Sequence, residues 1–164
     1  MSFGFYLFRL AGLGKSIKLF TFEKIMADLL KYPPKILIAF GEAISRNVKI
    51  HEWLFKNGYP ELGALASSLQ ADEKAFEWLI KNGYPQFAAF CNAIDEDKIA
   101  YDWLINNKFN LLIILYDAAY ERLEAIKWLK DKNLEIFIVI AAKIRELKAN
   151  QHRDYEDYHK IHFK

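Results

Sequence analysis

The hydrophobic positions of this chain recur at a fixed interval of 25 residues. A tryptophan followed by a leucine marks each interval, at Trp53-Leu54, Trp78-Leu79, Trp103-Leu104 and Trp128-Leu129. Between these pairs, apolar residues return at spacings of three and four, which place them on one face of a helix. A constant period of this kind is the signature of a tandem-repeat protein, and it predicts helices stacked in register.

The residues after each tryptophan predict where one helix ends and the next begins. In the first two full copies this segment closes on Asn-Gly-Tyr-Pro. Gly58 and Gly83 fit the left-handed position just after a helix, because glycine has no Cβ to clash there. Pro60 and Pro85 fit the first position of the next helix, where no backbone N–H is needed. The pattern therefore predicts a tight turn between two helices in each repeat.

A second apolar helix completes each repeat. Its predicted core slots are Leu62, Leu65 and Leu69, then Phe87, Phe90 and Ile94, then Leu112, Leu115 and Ala119, then Phe137, Ile140 and Ile144. Asp72 and Asp97 lie where helix N-caps are expected. Counting back 25 residues from Trp53 reveals a degenerate copy beginning near Asp28. Helices this short are marginal alone, so neighbouring units must stabilise them.

The predicted fold is all-α, an α/α solenoid or superhelix of about five antiparallel helical hairpins. One domain spans residues 1–164, with an apolar N-terminal cap and first helix at 1–24, five repeats at 25–149, and a polar cap or tail at 150–164. Each tryptophan is interpreted as a buried wedge between hairpins. Trp78→Ala is therefore expected to cost about 3–5 kcal/mol.

Composition narrows the function. The formal net charge is +2, with 23 basic and 21 acidic residues, which argues against a nucleic-acid partner. Cys91 is the only cysteine, so an internal disulfide is excluded and a reducing compartment, the cytoplasm, is predicted. The apolar stretch at 1–14 is too short to span a bilayer as a helix, so no transmembrane protein is expected. Self-association through Met1 to Leu13 is an alternative use of that stretch.

The motifs that could carry chemistry do not reach a full site. The Gly-Leu-Gly-Lys-Ser stretch at 12–16 ends like a phosphate-binding loop, but Arg9 replaces the first glycine of that motif. Three histidines lie in the polar C-terminal stretch, which has no cysteine to complete a common zinc site: His152, His159 and His162. His51 has no evident acid or nucleophile as a partner. We therefore predict no catalytic residue, no metal and no cofactor.

One polar row stands out in the repeat alignment. A single slot among apolar neighbours on the second helix of successive units holds Glu42, Ser67, Asn92 and Asp117. Side chains in one slot line up along a stack of repeats, and such a row commonly faces the ligand groove of a solenoid. Solvent exposure of an amphipathic helix explains the same pattern and is the simpler interpretation. The row is the candidate partner-binding surface.

One segment of the repeat resembles the end of the helical part of an ankyrin repeat, namely Trp78-Leu79-Ile80-Lys81-Asn82-Gly83. The likeness extends loosely over 28–149, but the ankyrin unit is longer, has a hairpin extension and opens on a Thr-Pro-Leu-His pattern that this chain lacks. It implies a helical-repeat fold and a binding role, with no functional residue carried over. The predicted function is a non-enzymatic scaffold for a protein or peptide partner. The alternative is a helical-repeat enzyme or nucleic-acid-binding module that uses the polar row.

Overall fold

The computed structural model describes residues 29–161, with side chains as far as Tyr155. Within that range a single 3₁₀ turn at Leu29–Lys31 precedes nine α-helices, and there is no strand. The helices are α1 Pro34–Ile44, α2 Val48–Lys56, α3 Pro60–Leu69, α4 Glu73–Lys81, α5 Pro85–Ile94, α6 Lys98–Asn106, α7 Asn110–Ala119, α8 Leu123–Asp131 and α9 Glu135–Ile161. The predicted N-terminal cap and first helix at 1–24, with the 12–16 stretch and the self-association segment, lie outside the described residues.

The turn that ends each even-numbered helix follows the sequence prediction. Gly58 and Gly83 have φ angles of +86° and +82°, in the left-handed region. Pro60 and Pro85 open α3 and α5. Where glycine is absent the same conformation is kept, at Lys108 and Asn133 with φ of 61° and 56°. The turn is therefore a property of the repeat and does not depend on glycine alone.

Side chains cap the short helices at both ends. Asp72 and Asp97 accept hydrogen bonds from the backbone of α4 and α6, as predicted, with Oδ1 2.9 Å and 2.8 Å from the nearer nitrogen. At the opposite end of three even-numbered helices, an asparagine amide donates to the tryptophan carbonyl four residues earlier at 2.8 Å: Asn57, Asn82 and Asn107. These bonds satisfy backbone groups that a helix end otherwise leaves unpaired.

The helices form two layers. The odd-numbered helices pack against one another in order, and all the predicted core slots from Leu62 to Ile144 are buried in them. Each even-numbered helix packs on the odd-numbered helices before and after it and buries only one or two residues. The core therefore runs through the odd-numbered helices, and the even-numbered helices cover it from outside.

The first and last odd-numbered helices also meet. Helix α9 packs against both α7 and α1, so that the five odd-numbered helices close into a ring. Gly41 allows a close approach at this seam, because a Cβ there would lie 3.1 Å from Cδ of Lys143. Lys143 Nζ also lies 3.0 Å from Oε1 of Glu42, which joins residues 101 positions apart. A stack of hairpins does not require this contact, so the closure is an additional property of the packing.

The Trp-Leu pairs divide their roles differently from the prediction. All four leucines have no exposed surface, namely Leu54, Leu79, Leu104 and Leu129. Trp53 and Trp128 keep 40% and 39% of their surface exposed, so these two are not the buried wedges that their size suggested, whereas Trp78 and Trp103 are partly buried against the core. Trp53 instead stacks on Tyr59 with ring centroids 6.3 Å apart, and the next two repeats keep this arrangement. The tryptophan covers the turn, and the adjacent leucine fills the core.

Candidate functional site

The odd-numbered helices α1, α3, α5 and α7 end in four neighbouring loops, 45–47, 70–72, 95–97 and 120–122, which we call the rim. Side chains join one helix end to the next: Gln70 donates to the Ala43 carbonyl at 2.9 Å, and the Tyr120 hydroxyl donates to the Ile94 carbonyl at 3.1 Å. The middle residue of each loop has a positive φ although none is glycine, at Arg46, Ala71, Glu96 and Glu121. Such conformations cost about 1–2 kcal/mol each and are found preferentially at functional sites.

Helix α9 lies across the rim. Its side chains contact the ends of the four other odd-numbered helices: Lys143 contacts Glu42 and Ser45 (3.0 Å each), Arg145 contacts Glu121 (3.3 Å), Lys148 contacts Asp95 (2.5 Å) and Gln151 contacts the Leu69 carbonyl (3.3 Å). Three of the four side chains are cations, which are favoured at the negative C-terminal ends of helices. The stretch from Ile136 to Ile140 is helical, as the repeat register predicts, and the helix continues without a break through the polar C-terminal stretch.

A cleft of about 690 Å³ lies between α9 and the rim. Its floor is apolar and consists of Ile94, Ala119, Ile144 and Ala149. The rim contributes the carboxylates of Asp95, Glu96 and Glu121, and α9 contributes Arg145, Lys148 and His152. Burial raises the pKa of Tyr120, which also lines the cleft, to about 12. Its hydroxyl donates to the Ile94 carbonyl at 3.1 Å.

The cleft combines the apolar and charged features of a binding surface. An apolar floor between charges of opposite sign can bury the apolar side chains of a ligand and pair with its charged groups. The charged side chains of the cleft are largely exposed or paired with each other, as in the polar edge of a recognition surface.

The structure gives one residue of the predicted polar row a histidine partner. Ser67 Oγ lies 2.7 Å from Nε2 of His51, so the expectation that this histidine has no nucleophile as a partner is wrong. The same nitrogen lies 3.1 Å from the Gly63 carbonyl oxygen, which can only accept a hydrogen bond. A proton on Nε2 fits both contacts, because the serine oxygen and the carbonyl oxygen can each accept. The pair is a structural contact between α2 and α3.

The other three residues of the row contact separate parts of the chain. Asp117 Oδ1 lies 2.7 Å from Arg122 Nη1, while burial raises the pKa of the aspartate. The hydrogen bond from Lys143 lowers the pKa of Glu42 at the seam. Asn92 is buried, and its Nδ2 has no hydrogen-bond partner within the described chain. None of the four residues lines the cleft, so the structure does not gather the row at that site.

The remaining candidates from the sequence are placed as follows. Burial raises the pKa of the Cys91 thiol to about 12, which suppresses its reactivity near neutral pH. His152 lines the cleft, whereas the side chains of His159 and His162 lie outside the described residues. Across 29–155 no group of three or more His, Cys, Asp or Glu side chains is arranged to hold a metal ion. None of the described helices combines the length and the apolar character needed to cross a membrane.

Sequence reasoning missed the residues that build the cleft. Arg145 and Lys148 lie where the repeat pattern fades, and Glu96 and Glu121 occupy a slot that holds other residue types in earlier copies. The distribution of charged residues along the sequence contained a signal for the cleft. Carboxylates appear in the rim slots of the later repeats, and α9 carries cations at the corresponding end.

The described part of the chain is all-helical, and its helices pack in sequence order, which is compatible with a helical-repeat protein. No protein-family model, curated protein or solved structure matches the chain.

Proposed function

We propose that the chain is a non-enzymatic helical-repeat scaffold, an α/α superhelix whose ends meet, and that it binds a peptide segment of a protein partner. The observation that carries the proposal is the cleft between α9 and the rim, with its apolar floor and its opposed charges. A volume of about 690 Å³ lies within the range of ligand-binding clefts, so several side chains of a bound segment can enter it.

The contacts around the cleft favour a site that exists before the partner arrives. Ile94 and Ile144 on the floor are packed into the core, with 4% and 1% of their surface exposed. The Lys148–Asp95 pair fixes α9 to the loop after α5 with a distance of 2.5 Å. A preformed cleft loses little conformational entropy on binding, so more of the contact energy is available as affinity.

The charges favour a partner segment that carries both signs beside its apolar residues. Glu96 and Glu121 are exposed on the rim, and Arg145 is exposed on α9. The Arg145–Glu121 pair at 3.3 Å is solvent-exposed, so its members can turn to a ligand at little cost. Burial of apolar side chains on the floor would then supply most of the affinity, and the charges would set the orientation.

A peptide library displayed on phage and selected against the whole 164-residue chain tests the proposal. Ala149→Trp places a large ring in the cleft at an exposed position, and Glu146→Trp places the same ring on α9 outside the cleft. We expect selected peptides to bind the parent and the Glu146→Trp variant and to lose binding to Ala149→Trp. Absence of any enriched peptide, or undiminished binding to Ala149→Trp, would refute the proposed function.

The alternative function, catalysis or nucleic-acid binding through the polar row, has less support. Ser67, Asp117 and Glu42 already have partners within the chain. The net charge of +2 and the carboxylates of the rim also do not favour a phosphate backbone as the ligand. Location in the cytoplasm and self-association stay predictions.

A further inference from the structure

Asp95 lines a second, smaller pocket as well as the cleft. This pocket, which we call the Asn92 pocket, has a volume of about 160 Å³ and lies among the end of α3, the start of α4 and the end of α5. Two of its polar side chains are more than nine-tenths buried, Ser68 with 5% and Asn92 with 7% of the surface exposed. The hydrogen-bonding state of these two side chains shows what the pocket lacks.

The repeat explains why the side-chain nitrogen of Asn92 has no partner. In the unit before it, Ser67 occupies the same slot and meets His51 across the helix pair. In the unit after it, Asp117 meets the hydroxyl of Tyr101 in the same way. The residue in the corresponding slot opposite Asn92 is Phe76, whose ring has no hydrogen-bonding group. Of these three units, only the one that contains Asn92 therefore lacks the polar contact between its two helices.

Ser68 is in a similar state. Its Oγ has no nitrogen or oxygen partner within the described chain, and its hydroxyl faces the sulfur of Cys91, a weak acceptor. A buried polar group without a full partner destabilises a fold, so the unpaired amide of Asn92 at this pocket requires an explanation. A ligand that bonds to Asn92 would supply it.

Carboxylates complete the polar lining of the Asn92 pocket. Asp72 uses Oδ1 to cap α4, and Asp95 uses Oδ1 to hold Lys148. Each carboxylate has a second oxygen that can accept a further bond. Asn92 can present either its N–H or its oxygen, because a half-turn of the carboxamide exchanges them. The pocket is therefore rich in acceptors, and acceptors of this kind match a compact group with several N–H donors.

We infer that the Asn92 pocket binds a compact organic cation, an ammonium or guanidinium group, carried by a lysine or arginine side chain of the bound peptide. This inference rests on the proposed function, since Asp95 is common to the pocket and the peptide cleft. The cation can donate to the carboxylates of Asp72 and Asp95 and to the Asn92 oxygen, with charge-assisted bonds that are stronger than neutral ones.

The test uses the whole chain and three probes: acetyl-arginine-amide, the neutral isostere acetyl-citrulline-amide, and methylguanidinium. Binding is measured by calorimetry and by the NMR shift of the Asn92 side-chain amide. We expect the arginine probe to move this resonance and the citrulline probe to leave it in place. Asn92→Leu should weaken binding of the arginine probe by about tenfold, because a bond to a charged group is lost. The same variant should keep or raise the melting temperature, because it removes an unpaired buried amide.

Charge variants provide matched controls. Asp72→Asn removes a charge from the pocket but keeps the N-cap, because asparagine caps a helix as well as aspartate does. Glu77→Gln removes a charge from the same helix outside the pocket, where Glu77 pairs with Lys81 at 2.9 Å. Only Asp72→Asn should weaken binding of the arginine probe.

Three results would overturn the inference: equal binding of the arginine and citrulline probes, unchanged affinity of the arginine probe for Asn92→Leu, or an Asn92 resonance that the arginine probe leaves in place. If methylguanidinium alone binds as tightly as the arginine probe, the peptide source is wrong. Peptides that lose binding to Ala149→Trp but are indifferent to Asn92→Leu would leave the proposed function standing and remove this inference only.

Discussion

Truncating the leucine of a Trp-Leu pair should destabilise the protein more than truncating its larger neighbour. Leu54 has no exposed surface, so Leu54→Ala removes its full burial and leaves a closed cavity. Fully buried leucines replaced by alanine lose about 3–5 kcal/mol, and we take about 4 kcal/mol as the central value. The leucine therefore contributes more to the free energy of unfolding than the tryptophan, although its side chain is smaller.

The expectation for Trp53→Ala follows from its 40% exposure. If tryptophan offers roughly 200 Å² and about three-fifths of it is buried, the loss is about 120 Å². At about 25 cal/mol per Å² this gives about 3 kcal/mol, which compactness of the unfolded chain lowers to about 2 kcal/mol. Loss of the stack on Tyr59 adds about 0.5 kcal/mol, and no closed cavity forms because the site is open to water. The total is about 2.5 kcal/mol.

Equilibrium unfolding in urea, followed by far-UV circular dichroism, measures both variants without relying on tryptophan fluorescence. The expected difference of about 1.5 kcal/mol corresponds to roughly 3–6 °C in melting temperature for a chain of this size. Trp78→Ala and Leu79→Ala provide an independent pair in the next repeat. The reasoning fails if the tryptophan variant is destabilised as much as the leucine variant in both repeats.

Four further outcomes follow from single contacts. The hydrogen bond from Lys143 lowers the pKa of Glu42, so its stabilisation is present above the ordinary carboxyl pKa and is lost as the pH falls through the lowered value. Between about pH 6 and about pH 3 the melting temperature of the parent should therefore fall more than that of Glu42→Gln. Ala71→Gly should raise the free energy of unfolding in urea by about 1 kcal/mol, because Ala71 has a φ of +69°. Gln86→Leu should raise the free energy of unfolding in urea by about 1 kcal/mol, because both ends of this fully buried amide lack a partner. The Cys91 thiol should resist iodoacetamide in the folded chain and react once urea unfolds it, as followed by mass spectrometry.

The controls for these outcomes come from the same chain. Gly58→Ala should lose about 1 kcal/mol, the reverse of Ala71→Gly, because Gly58 has a φ of +86° and open space around it. If the melting temperatures of the parent and of Glu42→Gln fall equally with pH, the Glu42–Lys143 pair does not stabilise the seam electrostatically. Alkylation of Cys91 at the same rate with and without urea would contradict its burial.

The sequence was most informative where structure is decided by near neighbours. The Asn-Gly-Tyr-Pro turns and the caps at Asp72 and Asp97 depend on contacts within a few residues, so the pattern predicted them. The burial of Trp53 was predicted wrongly for a geometric reason. Adjacent residues of a helix point about 100° apart, and size alone does not tell which of the two faces the core.

The closure and the cleft could not be read from the repeat. The meeting of Glu42 and Lys143 depends on the rotation added by every unit between them, which is a property of helix packing angles. The cleft depends in turn on where α9 crosses the rim, beyond the last regular copy. The polar row was visible in the alignment, but its partners, such as His51 for Ser67, depend on which even-numbered helix faces each slot.

The contact between α1 and α9 makes the number of units a fixed quantity. In an open array each unit touches only its neighbours, so duplication or loss of a unit leaves the other interfaces intact. In this chain an added unit would have to enter a ring that is already complete, and a lost unit would separate Glu42 from Lys143. Descendants of this protein are therefore expected to vary by substitution on the rim and α9, at constant copy number, rather than by lengthening.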